Sequence, residues 1–142
     1  MEAGEEDDIN VKLEIIKQDA DDKTPLAGAG FRLREGDYWA TDEVITGDDG
    51  KAYINIGRAG TFDLYETKAP SGYNLSEQIN YDSSWGSYRG YITVDSSGGY
   101  SYYFWGTRNG DSELSIIFYN SKRRRSVVAG GGRRRRRYKC KT

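Results

Sequence analysis

Between Val11 and Asn120, apolar side chains fall on alternate positions, and clusters of Gly, Asp, Ser and Asn interrupt them at short intervals. This alternation constrains the fold most. A two-residue period gives each segment one apolar face, as a half-buried strand requires, whereas a helix needs apolar residues three and four apart. Val11, Leu13 and Ile15 share a face, as do Phe31 and Leu33 near the end of a segment from Leu26 to Leu33. Ala52, Ile54 and Ile56 repeat the pattern, followed by Phe62 and Leu64, and finally by Leu114, Ile116 and Phe118. Turns are expected at Asp19 to Pro25, Thr46 to Gly50, Gly57 to Gly60, Ser96 to Gly99 and Asn109-Gly110. In Ala69-Pro70-Ser71-Gly72, Pro70 is expected at the second turn position and Gly72 where φ is positive. A short strand is expected at Tyr38 to Thr41, and a hairpin from Tyr91–Val94 and Tyr100–Trp105. Residues 76–89 are polar and irregular and are expected to form a long loop, with Trp85 exposed or capping one end. Eight or nine strands in a chain of 142 residues imply one all-β domain folded as a sandwich.

Charge divides the chain. Of 21 basic side chains, eleven lie in residues 122–142, which hold no acid; the other ten stand against all 22 acidic ones, a body of net charge −12. Residues 1–9 read as a disordered acidic leader, 10–121 as the sandwich, and 122–142 as a disordered basic tail. The tail has the charge to meet a polyanion but lacks interleaved aromatics, so a nucleic-acid partner is not expected. The absence of histidine removes the common general base and the Ser–His and Cys–His nucleophile pairs. Cys140 is alone, which excludes an intrachain disulfide. Asp19, Asp21 and Asp22 miss the spacing of a calcium loop and read as a turn, so neither metal nor cofactor is expected. No apolar run reaches membrane-spanning length, and Met1 to Asp8 do not form a signal peptide.

Three polar residues fall in phase with apolar faces. Lys17 continues Val11, Leu13 and Ile15; Glu66 continues Phe62 and Leu64; Asn120 continues Leu114, Ile116 and Phe118. One polar residue at a strand end merely marks where a core stops. Three of complementary chemistry suggest more, because a buried amine, carboxyl or carboxamide is costly unless paired. An amine kept from water becomes neutral and nucleophilic more readily. A carboxyl in the same dry site can hydrogen-bond an amide oxygen and carry the amine's proton to a leaving group. The expected chemistry joins Lys17 Nζ to Asn120 Cγ with loss of ammonia, and Glu66 acts as the proton shuttle.

Four stretches carry a resemblance: Lys17-Gln18-Asp19 with Pro25 to Leu33, Thr46 to Phe62, Leu64-Tyr65-Glu66-Thr67-Lys68-Ala69-Pro70-Ser71-Gly72-Tyr73, and Phe118 to Lys122. In order and spacing they resemble the Cna B-type (prealbumin-like, SpaA-type) domains of Gram-positive pilins and adhesins. The resemblance covers roughly residues 10–122. It implies an Ig-like or prealbumin-like β-sandwich, and it assigns Lys17, Glu66 and Asn120 as isopeptide donor, proton-handling acid and acceptor. It also implies a non-enzymatic stalk or spacer module on a bacterial cell surface, with neighbouring domains of the same protein as partners. The sortase signal usual in that family is not found. The alternative is an adhesive module holding a host matrix protein or glycan. Its surface would be the aromatic cluster Tyr81, Trp85, Tyr88, Tyr91, Tyr100, Tyr102, Tyr103 and Trp105, with Trp85 and Trp105 as the ligand-binding candidates.

Overall fold

The computed structural model describes residues 9–74, 85–110 and 114–122. Among the described residues ten strands occur in order: β1 (Val11–Asp19), β2 (Gly30–Glu35), β3 (Tyr38–Trp39), β4 (Val44–Ile45), β5 (Lys51–Ile56), β6 (Gly60–Lys68), β7 (Ser87–Val94), β8 (Tyr100–Phe104), β9 (Thr107–Arg108) and β10 (Ser115–Asn120). They form two sheets, β5-β1-β10-β9 and β3-β2-β6-β7-β8, with β4 also paired to β2. The all-β sandwich expected from the alternation is the fold observed.

The core lies between the two inner faces. Leu13 and Ile15 of β1, Ile54 of β5, and Ile116 and Phe118 of β10 face Phe31 and Leu33 of β2, Phe62 and Leu64 of β6, and Ile92 of β7. The Phe31 and Phe118 rings meet across the layers with centroids 5.7 Å apart. Removal of these side chains from water is the main favourable term in folding. The first and last long strands are neighbours: β1 pairs β10 in parallel, with Lys17 opposite Phe118 and Asp19 opposite Asn120.

The structure departs from the expected elements in four places. The segment 76–89 is not loop throughout, because β7 begins at Ser87 and adds Ser87 to Gly90 to the expected strand. Its alternation is hidden by a bulge: Leu64 pairs Gly90 and Tyr65 pairs Tyr88, which leaves Arg89 as the extra residue. A Cβ at Gly90 would collide with the Tyr103 carbonyl oxygen, so this crossing requires glycine. The segment from Leu26 enters β2 only at Gly30, because the Thr46 hydroxyl holds the Ala29 N–H and the Leu26 carbonyl in a separate turn. Strands β4 and β9, at two residues each, are too short to show a period. The turn after β6 lies one residue later than expected: the Tyr73 N–H donates to the Pro70 carbonyl at 3.0 Å, and Gly72 has φ +84°. Most of the leader, most of the tail, and Tyr81 lie outside the described residues.

Candidate functional site

Lys17 and Glu66 meet between the two sheets. Both side chains are fully buried, and Lys17 Nζ lies 3.2 Å from Glu66 Oε2. Lys17 stands on the inner face of β1, and Glu66 on the inner face of β6 in the opposite sheet, paired with Phe31 and Ser87. The rings of Phe31 and Phe118 flank the amine, 5.5 and 5.9 Å from Nζ to the centroids. Burial pulls the Lys17 amine down to about 8; Glu66 partly offsets this, and the nearby positive charge of Arg89 adds to it. About a tenth of the amine is therefore neutral and nucleophilic at pH 7, against well under a thousandth at the ordinary value of 10.5.

Asn120 belongs to the same interior. It is 1% exposed and lies one same-face position beyond Phe118, the residue opposite Lys17. Its Nδ2 donates to the Asn74 carbonyl at 2.6 Å, whereas its buried Oδ1 has no hydrogen-bond partner among the described residues. The three residues expected from strand phase thus share one inner region, contributed by both sheets.

Sequence reasoning missed a second pair, in which Asp19, on the strand that carries Lys17, meets Tyr73. Asp19, read as part of a turn, is almost wholly buried. Its Oδ1 accepts from the backbone N–H groups of Asp21 and Asp22, and its Oδ2 accepts from the Tyr73 hydroxyl at 2.7 Å. These hydrogen bonds hold the Asp19 carboxyl below its usual range, and the Tyr73 hydroxyl is pushed up to about 12 by the same contact. The available signal was phase: Asp19 is two residues beyond Lys17 and so shares its inward face.

Trp85 and Trp105 do not approach the trio. Both are half-buried on the outer face of the larger sheet, where rings form a continuous series. Trp39 and Trp85 each pack edge-on against Tyr65, Tyr65 meets Tyr88, and Tyr88 meets Trp105. Trp105 then meets Tyr103, and Tyr103 meets Tyr91. The Arg34 guanidinium lies 3.7 Å from the Trp85 ring centroid. The expected cluster needs correction. Tyr102 packs against the core and stacks with Phe104, so Tyr100 and Tyr102 line the inner side of β8 and do not join this surface. Trp39 and Tyr65, left out of the expected cluster, belong to it.

A family model described as "SpaA: Prealbumin-like fold domain" matches residues 11–83, just over half of the chain and the stretch that supplies Lys17, Glu66 and the Tyr73 turn. The chain belongs to the SpaA-type prealbumin-like domain family. A collagen adhesin of Staphylococcus aureus is 32% identical over an 85-residue alignment that covers 56% of this chain and 7% of that protein. Among solved structures, the pilus 2b backbone protein of group B streptococcus aligns with a TM-score of 0.53 at 25% identity, over 79% of this chain and 41% of that one. The pilus adhesin of Streptococcus pneumoniae shares the fold at a TM-score of 0.59 and 20% identity, over 84% of this chain and 16% of that one. The SpaA-type chain therefore spans only a small part of the adhesins it resembles. Among the described residues, no helix is long and apolar enough to cross a membrane, and no cluster of acidic, His or Cys side chains could hold a metal ion.

Proposed function

We propose that this SpaA-type domain is a structural stalk or spacer module of a Gram-positive surface protein, stabilised by an autocatalytic bond between Lys17 and Asn120. One observation carries the reading: a fully buried amine, held at 3.2 Å by a fully buried carboxylate, on the inner face that also carries a buried carboxamide. A plain sandwich gains little from such a group, because a well-packed apolar side chain would serve the core as well or better. In the reaction the neutral Lys17 Nζ attacks Asn120 Cγ, and the carbonyl becomes a tetrahedral oxyanion. Glu66 passes the amine's proton to Nδ2, the C–N bond breaks, and ammonia leaves. One amide and one ammonia replace one amine and one carboxamide. Folding supplies the proximity. Each molecule performs this once on itself, so the module is not an enzyme with a diffusible substrate. Its partners are neighbouring domains of the same surface protein, and its location is outside the cell.

The intact mass of the purified chain tests the reading. The folded protein should weigh one ammonia less than its sequence, and a digest should yield a branched peptide joining the Lys17 and Asn120 segments. A well-folded chain at full sequence mass would refute the bond.

The ring series on the outer sheet face supports a second role, an adhesive surface for a host matrix protein or a glycan. Tyr103 is 56% exposed and Tyr91 39%, so the series ends in accessible rings. Binding on a matrix-protein and glycan array that is lost on replacing Trp85 or Trp105 would support it; unchanged binding would remove it.

A further inference from the structure

The reaction needs more than three side chains, because a carboxamide can present either its oxygen or its nitrogen to the amine. The Asn74 carbonyl decides which. A carbonyl only accepts, so an atom 2.6 Å from it must be the NH₂ group; oxygen against oxygen at that distance would repel. Nδ2 therefore faces the Asn74 carbonyl, and Oδ1 faces the protein interior. This is also the side on which the leaving nitrogen needs help. As it gains a third hydrogen and positive charge, a fixed acceptor at hydrogen-bond distance stabilises it more than it did the starting amide.

The Asn74 carbonyl is set in place by a short latch. Pro70 to Tyr73 turn the chain back, which requires the positive φ of Gly72. Tyr73 then bridges to Lys122, and the Asn74 N–H donates to the Ser121 carbonyl at 3.1 Å, so the segment runs beside the end of β10. Among the described residues its side-chain tie to β1 is the Tyr73 hydroxyl, which donates to Asp19 Oδ2. Asp19 shares the inward face of Lys17 and stands opposite Asn120 in register. Lys122, two residues beyond Asn120, places its Nζ 3.9 Å from the same Oδ2, so the donor strand, the chain leaving the acceptor strand and the Tyr73–Asn74 segment meet at one buried carboxylate.

We propose that Tyr73, latched to Asp19, is a positioning residue for the crosslink: it holds the Asn74 carbonyl against Asn120 Nδ2, orienting the carboxamide and receiving the leaving nitrogen. The proposal rests on the Lys17–Asn120 reaction. A test must therefore separate its failure from failure of that reaction.

The full chain is synthesised in a cell-free reaction, translation is stopped, and conversion to the species one ammonia lighter is followed by intact mass at several pH values. Wild type should convert, and Tyr73→Phe should convert at least about tenfold more slowly, as expected when about 1.4 kcal/mol of transition-state stabilisation is lost. Near-ultraviolet circular dichroism, recorded well below the melting point, reports whether the variant is folded. The pH profile distinguishes positioning from general loosening. Loss of positioning lowers the rate at every pH and leaves the midpoint set by the Lys17 amine near 8, whereas a loosened core moves that midpoint toward 10.5. Asp19→Asn keeps one oxygen acceptor and should slow conversion less than Asp19→Ala. Wild type that never loses ammonia refutes the reaction itself. Wild type that converts, with Tyr73→Phe matching its rate or showing only a moved midpoint, refutes the positioning role while leaving the reaction standing.

Discussion

Replacing Asn120 with alanine removes the acceptor while keeping Lys17 and Glu66 together, so the cost can be worked from the structure. Two effects contribute at neutral pH. A Lys17–Asn120 bond closes a loop of about 100 residues, and loss of that closure costs about 4–5 kcal/mol in the chain-entropy treatment. The freed Lys17 must then be carried as a buried amine. Its folded value near 8 against 10.5 in water means that folding opposes its protonation by about 3 kcal/mol at pH 7. Together these approach about 7 kcal/mol, a large part of the stability of a domain this size, and lower Tm by roughly 25 °C. Guanidinium and thermal unfolding, each with intact mass recorded on the same sample, would measure it. Wild type lacking one ammonia, beside an Asn120→Ala variant at full mass that melts within about 5 °C of it, would refute the reasoning.

Three further outcomes are expected. Glu66→Ala should keep the sandwich, as judged by circular dichroism, but retain the full sequence mass and become more sensitive to protease. In Asn120→Ala, stability should rise with pH from about 8 towards 10 by roughly 2 kcal/mol. The depressed Lys17 value means that the unfolded chain binds more protons in that window, and the raised values of Tyr73 and Tyr88 reverse the trend only above 10. Denaturant titrations at several pH values check this, and crosslinked wild type should lack the Lys17 rise. Gly72→Val should destabilise by roughly 1–3 kcal/mol through backbone strain alone, since a Cβ there meets nothing within 4 Å; chemical denaturation measures it.

The positions of the trio were legible because each lies at or near the end of a strand and continues an alternating apolar series. Val11 to Ile15 predict where Lys17 points, and the same holds for Glu66 after Leu64 and Asn120 after Phe118. Phase fails where both faces of a strand are aromatic. In Tyr100-Ser101-Tyr102-Tyr103-Phe104 nothing local shows that Tyr102 packs inward and Tyr103 outward; the pairing of β8 with β7 decides it. It fails again at Arg89, where a bulge inserts a residue and shifts the pattern that precedes Tyr91. The latch was hidden for a different reason. Tyr73 and Asp19 are 54 positions apart, and no periodic signal links a turn tyrosine to a strand-end carboxylate.

The parallel pairing of β1 with β10 has a mechanical consequence. Because the two strands run side by side in the same direction, Val11 and Asn120 lie towards opposite ends of the sandwich. Tension drawn through the flanking chain slides these strands lengthwise and strains their hydrogen bonds together, whereas an antiparallel pair would be peeled open one bond at a time. With Lys17 joined to Asn120, tension entering at Asn120 crosses directly to Lys17 and leaves along the segment from Lys17 to Val11, about 20 Å of extended chain. Everything between Gln18 and Tyr119 is then in parallel with a covalent path and carries almost no force. With that bond the larger sheet and its ring-covered outer face would be freed from tensile duty, so their surface could change without weakening the path that carries the load.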